Sequence, residues 1–141
     1  MSTVLGTAND PVVCVQLAAA EPRLLAPGMV VVIDDEGCIV ACSADYDTRL
    51  AGIVTGPGES AAVVLDAGAD GVPVAIVGKC WVWADATQFP IGYGDLLTTS
   101  TTPGHARVAT HREKSFGAVI GKALTALPSG SGLVRVLLSP R

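Results

Sequence analysis

Two histidines and a glutamate crowd the run "HARVATHRE", with His105, His111 and Glu113 within nine residues. Imidazole and carboxylate together are the raw material of proton transfer and of divalent-metal binding. The spacing argues against both uses. On one extended strand His105 and His111 share a face but stand about 20 Å apart, at about 3.3 Å per residue. One metal ion cannot span that distance. The four cysteines, Cys14, Cys38, Cys42 and Cys80, contain no C-x-x-C pair. Cys38 and Cys42 on a single strand have Cα atoms about 13 Å apart, against the roughly 4.4–6.8 Å of a disulfide. Cys14 with Cys80 stays open as a cross-strand pair, and reduced buried thiols are the default where no secretory leader is visible.

Three short strings invite catalytic readings and lose them on inspection. Ser129 and Ser131 in "PSGSG" lack the G-x-S-x-G pattern and the following helix of a nucleophile elbow. "IGKALT", from Ile120 to Thr125, has Gly-Lys but puts Ala123 where a phosphate loop needs a hydroxyl on the magnesium ion. "GPGES", from Gly56 to Ser60, reads as a turn whose Pro57 removes an amide that an anion would need. The acid run Asp34, Asp35 and Glu36 lacks the spacing of an EF-hand calcium loop and reads as a solvated turn. The sequence therefore offers no catalytic residue, no metal ligand set and no cofactor, and a non-enzymatic chain is expected.

Contact chemistry is better supplied. Trp81 and Trp83 flank Val82, so a strand there presents both indoles on one face. They belong to the core, to a subunit interface or to a platform for stacking a ligand, with core or interface favoured. "SADYDTR" brings Asp45, Tyr46, Asp47 and Arg49 onto one loop. His111, Arg112 and Glu113, followed by Lys114, form a second charged loop. Both loops are expected to face outward, either as salt-bridged surface or as a polar contact edge.

These side chains have to be carried by strands. The chain has 141 residues, 50% of them hydrophobic, 16% charged and 4% aromatic, with 16 glycines and 9 prolines. Such a chain is too apolar for disorder, and its Val- and Ile-rich runs between frequent breakers predict an all-β domain. A compact barrel-like or β-clip-like single domain over residues 1–141 is expected. Its net charge of −4, without a basic run, argues against nucleic-acid binding. No run approaches the roughly 18 apolar residues of a membrane span, so no membrane insertion is expected. The start, "MSTVLGTANDPVV", has no secretory pattern, so synthesis in the cytoplasm is expected. So few charges on so apolar a chain leave uncovered apolar surface, which predicts a homo-oligomer.

The chain also reads as two similar halves, about 11–66 and 73–139. Gly28, Gly37, Gly52 and Gly56 fall on Gly94, Gly104, Gly117 and Gly121. Met29–Ile33 matches Asp95–Thr99, Ile39–Cys42 matches Ala106–Ala109, and Ile53–Val54 matches Ala118–Val119. "PVVCVQL" and "PVAIVGKCWVW" precede the two units, and "AAVVLD" and "GLVRVLLS" follow them. Gly37 and Gly104 are placed in hairpin turns, "DDEG" and "TTPG", where positive φ favours glycine. Gly28 and Gly94 open the strand before each hairpin.

The second half carries a family likeness. "GDLLTTSTTPGHARVAT", with "FGAVIGKAL" and "GLVRVLLS" after it, resembles a recurring β-rich domain found at the C-terminal ends of bacterial and phage tail-fibre-like and β-helical surface proteins. The match runs from Gly71 to Ser139, and "PGMVVVIDDEG" and "YDTRLAGIVTGPG" resemble the upstream part. Over a few residues, "PIGYGDLL" is also similar to the β-clip domains associated with sugar-acid synthases and flagellar chaperones. The first resemblance implies a structural module of a fibre, spike or surface particle, phage-like in kind, self-associating as a trimer, and carries over no catalytic residue. A free-standing domain, without the long stalk that accompanies its relatives, is expected. A carbohydrate- or ligand-binding module using Trp81 and Trp83 with neighbouring loops is the alternative reading, and a hydrolase or self-cleaving chaperone module the third.

Overall fold

A computed structural model describes residues 11–55, 60–65 and 71–139. Gly56 to Glu59, most of the "GPGES" turn, lie outside the described residues, as do the first ten. The described chain forms β1 (Pro11–Leu17), β2 (Val30–Ile33), β3 (Ile39–Ala41), β4 (Leu50–Val54) and β5 (Ser60–Leu65). There follow β6 (Val72–Asp85), β7 (Leu96–Thr99), β8 (Ala106–Val108), α1 (Arg112–Ser115), β9 (Gly121–Ala123) and β10 (Ser131–Leu138). The fold is all-β, as the composition predicts. No helix among the described residues is long and apolar enough to cross a membrane.

Five strands close on themselves in the order β6, β8, β7, β9, β10, with β10 returning to β6. The pairings are antiparallel except that of β6 with β8, which is parallel through Ala84 and Ala106. β6 is 14 residues long and serves two sheets. Gly78 to Asp85 pair with β10, while Val72 to Gly78 pair with β1, and Val74 and Ala75 also pair with β4. From β4 the sheet runs on to β2 and β3.

Period-two alternation decides what fills the barrel. Cys80, Val82 and Ala84 of β6 and Val134, Val136 and Leu138 of β10 point inward, meeting Leu97, Ala106, Val108 and Ala123 from the other three strands. Alanines at Ala84, Ala106 and Ala123 suit so narrow an interior, since few strands leave little room for side chains. A smaller cluster of Val31, Ile39, Val54 and Val74 packs on the opposite face of the extension, under Leu17, Leu25 and Met29.

One three-strand arrangement occurs twice. β3 pairs with β2 and β2 with β4, all antiparallel, and β8, β7 and β9 are ordered the same way. The strand that comes next differs. β4 borders β6, β9 borders β10, and β5 pairs with β1 in parallel instead of following the first unit's order. Gly28, Gly37, Gly94 and Gly104 all have positive φ, at 89°, 81°, 82° and 72°.

One local expectation is corrected by the backbone. Ala118 and Val119 are not in a strand, and the third strand of the second unit begins at Gly121. The reason lies in their polar groups. The Ala118 amide donates to the Ser115 carbonyl, and the Ala118 carbonyl accepts from the Thr98 hydroxyl, so neither is available to a ladder. His111, expected in a charged loop, lies beyond the end of β8 and stands at the N-cap position of the one-turn helix α1, sharing no strand with His105.

Candidate functional site

The two charged loops predicted from the sequence meet each other. "SADYDTR" leaves β3, "THREK" leaves β8, and Tyr46 joins them. The Tyr46 hydroxyl accepts the amides of Thr110 at 2.8 Å and His111 at 2.9 Å, and lies 3.2 Å from the Thr110 hydroxyl. To reach there Tyr46 adopts φ 53°, the left-handed region that a bulky side chain rarely enters. Its ring also meets the His111 ring edge-on, with centroids 6.0 Å apart. Burial alone would raise the Tyr46 phenol. The Thr110 hydroxyl, the two amides and the Arg107 charge outweigh it and hold the group below its ordinary value.

The first loop is anchored from beneath by β7. Thr99 is fully buried, and its hydroxyl donates to the Ala44 carbonyl at 2.7 Å while accepting the Asp47 amide at 2.8 Å. Asp47 then accepts the Arg49 amide, and Arg49 forms an exposed ion pair with Asp35 at 2.7 Å. Arg112 and Glu113 are exposed on α1. The "TTS" run that reads as strand formers is therefore also a set of buried pins, Thr98 holding Ala118 and Thr99 holding Ala44.

A residue that sequence reasoning passed over occupies the centre of this surface. The Arg107 guanidinium lies 5.5 Å from the centroid of Tyr46 and 5.4 Å from that of Phe89. It also pairs with Asp45 at 3.2 Å and donates to the Val108 carbonyl at 3.1 Å. Nothing in "HARVAT" marks this arginine apart from any strand residue with an outward side chain. Phe89 is likewise unmarked in its loop. Asp45, Tyr46, Phe89, Arg107, His111 and Lys114 line a cleft of about 480 Å³. A second cleft of about 460 Å³ shares Asp45 and Arg107 and continues past Asp85, Thr87, Gln88 and Thr102. The Asp85 carboxylate accepts the hydroxyls of Thr102 and Thr87 and the Thr87 amide, which hold it below the usual carboxylate range.

The tryptophans lie elsewhere. Both project from the outer face of β6, and neither indole lines these clefts. Trp83 is half-buried, its ring covering Gly28 and standing 6.0 Å from the His105 ring. Trp81 is 38% exposed, with the Arg135 guanidinium 5.3 Å from its centroid. Neither belongs to the core cluster.

No cysteine is in a disulfide. Cys42 is buried, which pushes its thiol up, and the thiol donates to the His105 carbonyl at 3.3 Å. Among the described residues no three His, Cys, Asp or Glu side chains gather as a metal site. No protein-family model matches the chain, and no curated protein matches it.

Proposed function

We propose that this chain is a non-enzymatic structural module of a fibre, spike or surface particle that self-associates as a trimer. The observation that carries the reading is the outer face of the barrel. Register places Lys79, Leu137, Lys122 and Leu96 in one row across β6, β10, β9 and β7. Trp81 stands beside Arg135 in the next row, and Trp83 beside Leu133 in the one after. Leu96, Leu133 and Leu137 are 41%, 44% and 43% exposed, so large apolar side chains cover this face. Large exposed apolar side chains grouped on one face mark contact sites, and Trp is a usual anchor of interfaces.

The resemblance of "GDLLTTSTTPGHA" to a fibre-associated domain supports three copies joined head to tail in a closed ring.

Sedimentation at micromolar concentration tests this directly. The wild-type chain is expected to run as three copies, and Leu137→Arg, which puts a charge in place of an exposed leucine of the face, as one. A wild-type chain that stays monomeric under those conditions removes the proposal.

A further inference from the structure

We propose that the groove running from Phe89 past Arg107 to Thr102 binds an acidic saccharide chain. Its lining shares no residue with the three rows of the barrel face, so the proposal does not rest on self-association. Two clefts of about 480 and 460 Å³ lie side by side, with Asp45 and Arg107 lining both. Each falls in the size range of small-molecule sites, roughly 300–1,000 Å³, and together they suit an elongated ligand better than a compact one.

The chemistry along the groove is that of sugar recognition. Phe89 is 44% exposed and offers an apolar flank to the C–H face of a pyranose ring. Next to it the Arg107–Asp45 pair presents donors and acceptors side by side, as neighbouring sugar hydroxyls require. The arginine is already held in place. Its side chain is only 12% exposed, it lies against two rings, and it donates to Val108 and Thr110. Such pre-organisation lowers the entropic cost of binding. Beyond the pair, Thr87, Gln88 and Thr102 continue the supply of hydroxyl and amide groups.

Charge selects an acidic sugar over a neutral one. Asp45 is matched by Arg107, and the Asp85 carboxylate is saturated by threonine groups. Lys114 has no ion pair among the described residues, so its ammonium is the uncompensated charge at the Phe89 end. A uronate carboxylate placed there completes the site.

Calorimetric titration with hexamers of galacturonate, of mannuronate and of hyaluronan provides the test. Fully methyl-esterified hexagalacturonate serves as the neutral counterpart. At least one acidic hexamer is expected to bind, and both Phe89→Ala and Lys114→Glu are expected to weaken it about tenfold or more. Both side chains are exposed, so neither variant is expected to disturb folding. Leu137→Arg, on the separate apolar face, is expected to leave binding unchanged while altering the sedimenting mass. Absence of binding by all three acidic hexamers overturns the proposal, as does equal binding of the methyl ester. Binding indifferent to both groove variants overturns it too.

Discussion

Asp85 ends β6 with its carboxylate engaged on one side by Thr87 and on the other by Thr102, so a single side chain ties the loop after β6 to the turn before β8. Those hydrogen bonds favour the charged form and depress the group's pKa in the folded protein. A depressed acid stabilises the fold above its unfolded pKa of about 3.9, and that contribution is lost as pH falls through the folded value. Asp85→Asn keeps the shape and removes the charge. Urea denaturation at pH 7 is expected to show a loss of about 0.5–1 kcal/mol, kept small because the carboxylate remains open to solvent. The gap from wild type should narrow as pH is lowered below the unfolded value of about 3.9. A gap that stays constant over that range would show that the charge has no part in the effect. The sequence makes this residue and the Thr98–Thr99 pins hard to read in advance. A threonine in an apolar strand signals β propensity equally well whether its hydroxyl is idle or holds a loop 55 residues away, as Thr99 holds Ala44.

Strands were the more legible level, because alternation and turn glycines are local signals. The runs at Met29–Ile33, Ile39–Cys42, Asp95–Thr99 and Ala106–Ala109 fall within a residue of β2, β3, β7 and β8. What local pattern cannot convey is which strands neighbour one another. The parallel pairing of β5 with β1 and the closure of β10 onto β6 depend on contacts far apart in sequence. Nor does pattern separate a glycine chosen for its backbone angle from one chosen for its lack of a side chain. Gly37 has φ 81° and nothing within 4 Å of an added Cβ, so it answers only to conformation. Gly121 has no such angle, but an added Cβ would overlap the Leu137 carbonyl across the β9–β10 pair that closes the barrel. Gly37→Ala is therefore expected to cost about 1–2 kcal/mol from backbone strain. Gly121→Ala forces two paired strands apart, at about 3 kcal/mol or more. Chemical denaturation of the two variants side by side gives the comparison, and equal losses would contradict the overlap at β9–β10.

At the scale of the whole molecule, the two tryptophans report on whether the barrel face is covered. Both lie on the outer side of β6, but their surroundings differ. Trp83 is turned onto Gly28 and is half-buried within the single chain, while Trp81 stands 38% exposed under the Arg135 guanidinium. In an associated ring Trp81 becomes an interface residue and loses contact with water, whereas Trp83 gains little further cover. Acrylamide quenching measured over a dilution series separates them, since the chain contains no other tryptophan. The wild-type signal is expected to become more quenchable as dilution releases single copies. Trp81→Phe leaves only Trp83, whose quenching should be nearly independent of concentration. In Leu137→Arg, Trp81 should be as accessible as in the single chain at every concentration, matching the diluted wild type. Were sedimentation to show three copies while Trp81 stayed as open to acrylamide as in the single chain, the contact would have to lie on another surface. The apolar rows of β6, β10, β9 and β7 would then be excluded as the face that joins the copies.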